Sequence, residues 1–256
     1  MLSIEQIKKF YPDYMHKFER QLLREYIQHL ILNIIYSCRF AESMHFMGGT
    51  AIRIIHGSNR FSEDLDFDTG SMAKAEFSDV AHAVKQELEL EGFNVEIKIV
   101  SRDAYRCYIK FPGLLFDYTL SGHKTEKVMI QMDGEKQPYD YKPVNHLINK
   151  FGFITRISVV PVETLLSQKI LAFLNRKRTK ARDIYDIVYL FSLTEPDLDY
   201  LNQMADINSV KLLKKGLDNK CTVLDFEALS KEIEPFLINK RDVNSVRYFG
   251  EFVEEM

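Results

Sequence analysis

The stretch EDLDFDTG, residues 63–70, alternates acidic and apolar side chains, and this alternation constrains the fold more than any other feature of the chain. Alternation with a period of two predicts a β-strand with one buried face, into which Leu65 and Phe67 would point. The opposite face would carry the carboxylates of Asp64, Asp66 and Asp68. Like charges so close together destabilise a fold unless a cation neutralises them, so the pattern predicts a cation site.

Asp64 and Asp66 are the predicted ligands of that cation, Mg²⁺ or Mn²⁺, because these hard ions prefer carboxylate oxygens. Upstream, Gly48 and Gly49 would let the backbone pass close to a ligand, and Thr50 is predicted to begin a helix whose free N–H groups suit a phosphate. Taken alone, either feature is as well explained by a solvated strand edge or an ordinary turn. Together they favour phosphoryl or nucleotidyl transfer from an NTP.

Composition limits the other classes of function. The 256 residues are 46% hydrophobic and 28% charged, as in soluble globular proteins, and a net charge of −3 means that any nucleic-acid site must be a local patch. Three cysteines without a CxxC pair argue against disulfides and zinc and fit a reducing cytoplasm. The charged N-terminal segment does not resemble a signal peptide, and the apolar run at 30–36 is too short to span a bilayer. We therefore expect a cytoplasmic protein without a membrane segment.

The order of periodic segments predicts an α+β fold. Residues 1–160 would form a mixed sheet with helices, including N-terminal ones, and residues 161–256 a helical domain, with the boundary near Pro161. Predicted helices cover 12–38 and 73–91, and predicted strands cover 45–47, 93–100, 105–111 and 127–133, besides the acidic strand.

A second group of charges lies within residues 167–187. Five cations occur in seven residues between two helical patterns: Arg176, Lys177, Arg178, Lys180 and Arg182. They indicate either a solvated loop or a patch for triphosphate or RNA phosphates. Lys169 lies among apolar residues of the preceding helix. Asp183 and Asp186 share one side of the next helix, where Asp183 would also complement the helix dipole.

The sequence FMGGTAIRIIHGSNRFSEDLDFD, followed by QKILAFLNRKRTKARDIYDIVYL, resembles the AbiEii/AbiGii toxin family of nucleotidyltransferases over about residues 44–190. The GG turn with a DxD pair matches one half of that family's signature, and the lysine helix with an RDxxD helix matches the other. The resemblance implies a polymerase β-like nucleotidyltransferase fold with an appended helical domain and magnesium-dependent transfer from an NTP. Some members act on tRNA 3′ ends as toxins of toxin–antitoxin or abortive phage-infection pairs, which implies an RNA acceptor and a cognate antitoxin.

By position, the resemblance also implies roles for individual residues. Gly48, Gly49 and Thr50 match the phosphate-binding turn, and Asp64 and Asp66 match the metal pair. Lys169 is expected near the triphosphate. The last motif is matched by Arg182, Asp183 and Asp186, with Asp186 in the active site.

Nucleotidyltransferases usually place a third carboxylate on a later strand. In VMIQMDG, residues 128–134, Gln131 stands at the expected position and Asp133 follows two residues later on the same face. Three interpretations stay open. Asp133 acts from a shifted register, the enzyme uses two carboxylates plus Asp186, or its activity is weakened.

Two other functions fit parts of the sequence. DFDTG matches the haloacid-dehalogenase phosphatase pattern, with Asp66 as nucleophile and Asp68 as general acid, but the preceding residues are polar and the glycine pair is left unexplained. A non-catalytic module that binds a nucleotide or a partner on the same fold is the other alternative, and Gln131 is the residue that favours it.

Overall fold

A computed structural model describes residues 1–101 and 104–256. Its helices and strands follow in chain order. They are α1 (Ile4–Lys8), α2 (Glu19–Ser37), β1 (His45–Met47), α3 (Gly48–Ile54), β2 (Leu65–Asp68), α4 (Lys74–Leu90), β3 (Glu96–Ser101), β4 (Tyr105–Pro112), α5 (Leu114–Asp117), β5 (Lys127–Glu135), β6 (Val144–Lys150), β7 (Phe153–Val159), α6 (Val162–Asn175), α7 (Ala181–Phe191), α8 (Leu198–Ala205), α9 (Val210–Cys221), α10 (Phe226–Ile233), α11 (Asn244–Arg247) and α12 (Phe249–Glu255). Short 3-10 turns cover Asp13–Met15, Ala41–Ser43, Glu234–Phe236 and Lys240–Val243.

The chain divides into two compact units. The first comprises Met1–Ala51, Glu63–Pro138 and Pro143–Val159, and the second comprises Ile52–Ser62, Tyr139–Lys142 and Val160–Met256. The first unit holds the sheet, whose strands in the described residues lie in the order β3-β4-β5-β2-β1-β7-β6. β2 pairs with β5 and β1 pairs with β7 in parallel, while the other neighbours are antiparallel. The expected α+β class is confirmed.

The acidic strand forms as its alternation predicts. In β2, Leu65 and Phe67 are fully buried, and the Phe67 ring packs 5.4 Å from the ring of Phe46 on β1. Asp66 is half-buried on the opposite face, and Asp64 immediately precedes the strand. Because β5 and β1 flank it, this short strand lies in the interior of the sheet.

Two helix starts differ from the sequence-based prediction. α2 begins at Glu19 and not near residue 12, since a separate 3-10 turn occupies Asp13–Met15. α3 begins at Gly48, two residues before Thr50, so the glycine pair forms the first turn of the helix and does not precede it. Gly48 has a φ of +76°, a conformation open to glycine, and this lets the chain turn from β1 directly into α3.

The hairpin of β6 and β7 was not predicted. Its two-residue loop is Phe151-Gly152, both with positive φ, in place of the Asn-Gly or Asp-Gly pair that signals such a turn. β6 also lies at the edge of the sheet with no fully buried residue, and its sequence VNHLINK does not alternate polar and apolar side chains. Phe151 is held in its strained conformation by burial against the rings of Phe10 and Tyr26.

The second unit is helical. α6 and α7 cover the two patterns that predict helices on either side of the cation-rich loop. Its buried core includes Leu166, Phe173, Ile184, Leu213 and Phe249. Across the described parts of both units, no helix combines the length and apolar character needed to cross a membrane.

Gly134 marks a tight contact between α4 and the sheet. A Cβ added there would lie 2.7 Å from Thr69 Cγ2 and 2.9 Å from Phe77 Cε2. We expect Gly134→Ala to lower the free energy of unfolding by about 1–3 kcal/mol, because overpacking forces buried neighbours apart. Urea unfolding would measure this. Gly122→Ala is the matched control, since nothing lies within 4 Å of its added Cβ. Equal effects of the two substitutions would contradict the packing argument.

Candidate active site

Asp66 and Asp133 lie side by side at the centre of the sheet. The parallel pairing of β2 with β5 places their Cα atoms in register. Residues paired in this way project to the same face, so the two carboxylates are neighbours. These two residues, together with Asp64, which immediately precedes β2, are called here the carboxylate face of the first unit.

The glycine pair and the DxD pair meet at Gly48. A Cβ on Gly48 would overlap the carboxylate of Asp66, with Asp66 Cγ at 2.8 Å and Cβ at 2.9 Å. Any larger residue would therefore push the Asp66 side chain aside, and the positive φ at Gly48 would add backbone strain. The structure therefore brings the start of α3 against Asp66, one of the two predicted metal ligands.

The backbone next to Asp64 is held from two helices. The hydroxyl of Thr50, on α3, donates a hydrogen bond to the carbonyl oxygen of Asp64. On α2, Gln28 donates to the carbonyl of Glu63 at 3.0 Å, and Arg24 forms an ion pair with the Glu63 carboxylate. Burial lowers the pKa of Arg24, and the nearby charge of Asp64 opposes that shift. Thr50 thus positions the DxD segment through its side chain.

Asp133 is aligned with Asp66, and both Arg106 and Gln131 contact it. Arg106, on β4, holds Asp133 through two hydrogen bonds of 2.9 and 2.8 Å, which raise the pKa of the Arg106 guanidinium. The amide of Gln131 donates to Asp133 Oδ2 at 2.9 Å. The pairing of the strands thus places Asp133, and not Gln131, in register with Asp66.

The carboxylate face suits a hard divalent ion. Its donors are all carboxylate oxygens, the ligands that Mg²⁺ prefers. Within the described residues no group of three or more His, Cys, Asp or Glu side chains is already arranged to hold a metal ion. That is compatible with Mg²⁺, which is usually bound by one or two carboxylates together with substrate phosphates.

Asp68 has a different environment from Asp66. It is 5% exposed, and its Oδ1 accepts hydrogen bonds from the backbone N–H groups of Gly70 at 2.9 Å and Gln137 at 3.1 Å. These bonds fix the loops that follow β2 and β5. Such an environment argues against Asp68 as the general acid of a phosphatase.

The second unit contains a buried ionic cluster, the Lys169 network, formed by Arg60, Lys169, Arg176, Asp183 and Asp186. Arg60 Nε and Nη2 bind the two oxygens of Asp186 at 2.7 and 2.6 Å, and Lys169 Nζ lies 2.9 Å from Asp186 Oδ2. Asp183 lies 3.7 Å from Lys169 and 2.8 Å from Arg176 Nη1. Both aspartates are almost completely buried, whereas Arg182 of the same motif is exposed.

At the centre of this network, ion pairing has a larger effect on the pKa values than burial has. Burial by itself would raise the pKa of Asp186, but Arg60 and Lys169 outweigh it and hold that pKa below its ordinary value. Burial would likewise lower the pKa of Arg60, and the charge of Asp186 raises it instead. Asp186 is therefore an ionised carboxylate that fixes Lys169 in place.

Sequence reasoning missed Arg24, Arg60 and Arg106, the three arginines that hold these carboxylates. Arg60 lies in the loop after Gly57 and Arg106 in a strand with no acidic neighbour in sequence, so neither has a local signal. Their partners are distant along the chain.

Comparison with known proteins identifies the family and the fold. The model of the AbiEii family, described as nucleotidyl transferase AbiEii toxin, type IV toxin–antitoxin system, matches residues 31–242. The crystal structure of JHP933 from Helicobacter pylori is similar with a TM-score of 0.52 at 17% identity, over 93% of each chain. A candidate nucleotidyltransferase from H. pylori is similar with a TM-score of 0.53 at 17% identity, over 93% of this chain and 96% of that one. These two likenesses show the fold. No curated protein matches the chain in sequence.

Removing Arg60 should be strongly destabilising. We expect Arg60→Met to lower the free energy of unfolding by about 3–5 kcal/mol, because Asp186 would stay buried with one of its two cations gone. Denaturant unfolding would measure the loss. Arg39→Met, which breaks the exposed pair with Asp79, should cost less than about 1 kcal/mol. The double change Arg60→Met with Asp186→Leu should recover part of the stability. An Arg60→Met loss no greater than that of Arg39→Met would show that the pair is not needed.

The contribution of Asp186 should depend on pH in one direction. Its pKa is lowered on folding, so the ionised form stabilises the fold above the unfolded value of about 3.9, and this contribution is lost as the pH falls through the folded pKa. We expect the stability difference between the wild type and Asp186→Asn to be constant from pH 7 to 5 and to shrink below about pH 4. Unfolding curves across that range would test this, and a difference that grows in acid would contradict it.

Proposed function

Because the chain belongs to the AbiEii nucleotidyl transferase toxin family of type IV toxin–antitoxin systems, we propose that it transfers a nucleoside monophosphate from an NTP to RNA, at the 3′ end of tRNA. Family membership makes it a nucleotidyltransferase and a toxin. The RNA acceptor and the divalent metal ion are our proposal. So are a cytoplasmic location, a cognate antitoxin as partner and a role in antiviral defence by abortive infection.

The observation that carries this proposal is the register of Asp66 with Asp133 beside the start of α3. Asp64 and Asp66 would hold Mg²⁺ or Mn²⁺, with Asp133 as the third carboxylate. The bound ion would neutralise the triphosphate and the pyrophosphate that leaves it.

The residues around this face have distinct tasks in the proposal. Gly48 and Gly49 keep the start of α3 free of side chains, so that backbone N–H groups can approach a phosphate. Thr50 holds the Asp64 backbone in place. Asp133, once a substrate hydroxyl displaces part of its contact with Arg106, accepts the proton of that hydroxyl and so activates it for attack.

Lys169 is the proposed cation for the nucleotide phosphates, and Arg182 is proposed to assist at the nucleotide. Asp183, which is 1% exposed, would assist through its contact with Lys169. Lys169 keeps 14% of its side-chain surface exposed, and Asp183 and Asp186 hold its ammonium group. Asp186 is fully buried and both its oxygens are occupied. We therefore propose that Asp186 contributes to activity by positioning Lys169 and not by touching the substrate.

A transfer assay tests the proposal. Purified protein would be incubated with magnesium, total tRNA and each labelled NTP in turn. We expect label in the RNA with a preferred NTP, its loss when EDTA removes the metal, and a decrease of at least about 100-fold in Asp66→Asn, because an electrostatic contribution of that size is lost with the charge. Asp117→Asn removes an exposed carboxylate of α5 and should retain full activity.

Three results would contradict parts of this proposal. Label that enters only protein would exclude RNA as the acceptor. Transfer that persists in Asp66→Asn would exclude the carboxylate face as the site. Transfer unaffected by EDTA would exclude the metal.

A further inference from the structure

The second unit contains a pocket of about 350 Å³ that none of the roles above uses as a whole. This basic pocket is lined by Arg178, Lys180, Arg182, Glu232, Ile233 and Phe236. Its volume falls in the range of ligand sites in proteins. Three cations and one carboxylate give the lining a net charge of +2.

The cations all face outward because of a local alternation. From Arg178 to Arg182, exposed or half-exposed cations alternate with buried small residues, Thr179 at 7% and Ala181 at 0% exposure. The segment between α6 and α7 is therefore not a simple solvated loop. Every second residue of it is buried, and the cations between these residues form a line of positive charge on the surface. Arg176, in contrast, is paired with Asp183 in the Lys169 network.

The opposite wall of the basic pocket is apolar and fixed in position. Phe236 is 36% exposed, and its carbonyl accepts a hydrogen bond of 2.8 Å from Phe61 N–H. Ile238 N–H donates to the Asn59 carbonyl at 3.0 Å, so the segment that carries Phe236 is bound on both sides of residue 237.

Glu232 also connects the two walls of the basic pocket. Glu232 Oε1 accepts the backbone N–H of Ala181 at 3.2 Å, where α7 begins. Its other oxygen lies 3.7 Å from Arg178, whose side chain is 80% exposed, so this contact leaves the Arg178 charge available to a ligand.

We infer that the basic pocket binds a single-stranded segment of RNA, with phosphates on Arg178 and Lys180 and a base stacked on Phe236. A cationic line beside an exposed, rigid aromatic ring is the combination by which proteins bind single strands. An NTP also carries a base and phosphates, but its triphosphate is compact, whereas cations at every second residue suit the separated phosphates of a strand. The choice of RNA rests on the proposed function, which requires an RNA acceptor.

Fluorescence anisotropy with a labelled single-stranded RNA of mixed sequence, without NTP, tests this inference. The double variant Arg178→Gln with Lys180→Gln should bind more weakly, and its log Kd against log salt slope should fall by about 1.4, since each lost phosphate contact contributes about 0.7. Phe236→Leu should weaken binding by about 5- to 150-fold, the range for loss of one stacked base, and leave the salt slope unchanged. Thermal melting would confirm that the variants are folded. If Phe236→Leu is unfolded, the double charge variant alone decides.

The matched control is Lys211→Gln with Lys215→Gln, which removes the same charge from exposed positions on α9. It should bind RNA as the wild type does. The inference is overturned if the control weakens RNA binding as much as Arg178→Gln with Lys180→Gln does, or if the wild type binds no RNA. It is also overturned if Arg178→Gln with Lys180→Gln loses affinity for NTP while keeping its affinity for RNA.

The outcome is separable from that of the proposed function. RNA binding that depends on the pocket, without nucleotide transfer, would contradict the proposed function and leave the pocket standing. Transfer to RNA that is indifferent to both pocket variants would contradict the pocket alone.

Discussion

Carboxylates that are aligned on adjacent strands repel one another, and the first unit contains such a pair. Asp66 and Asp133 are paired in register in the interior of the sheet, where the strands cannot move apart without loss of the core beneath them. Arg106 neutralises Asp133 from the next strand. The carboxylate of Asp66 lies against the start of α3, where Gly48 offers no side chain. Pairing with Arg106 therefore offsets part of the repulsion between the two aligned carboxylates.

The second unit contains a carboxylate that is buried and paired with cations. Asp186 is inaccessible to water, and a buried charge is tolerated only with close partners, which Arg60 and Lys169 supply. The cost of breaking this pairing holds the Lys169 side chain in one orientation. Arg60 also belongs to the short segment that binds the backbone of Phe236 and Ile238. The buried ion pair and the wall of the basic pocket are thus parts of one framework.

Periodic segments were predictable and exceptions to periodicity were not. β2, α4, α6 and α7 lie where alternation or helical spacing predicts them, because each buries one regular face. The β6–β7 hairpin was missed, since its edge strand buries no regular face and Phe151-Gly152 is not a common turn pair. The start of α3 was placed two residues late, because glycines usually indicate a loop.

The sequence by itself determined which side chains share the acidic face of β2 and which family the chain resembles, since both follow from local spacing. It did not determine which later residue joins that face. Gln131 and Asp133 are two positions apart on one strand, so the alternation of side chains places both on the same face and does not distinguish them. Only the pairing of β5 with β2, between segments far apart in the chain, sets the register that places Asp133 beside Asp66. Pairing of this kind depends on how the whole sheet packs, and that information is held in no single stretch of sequence.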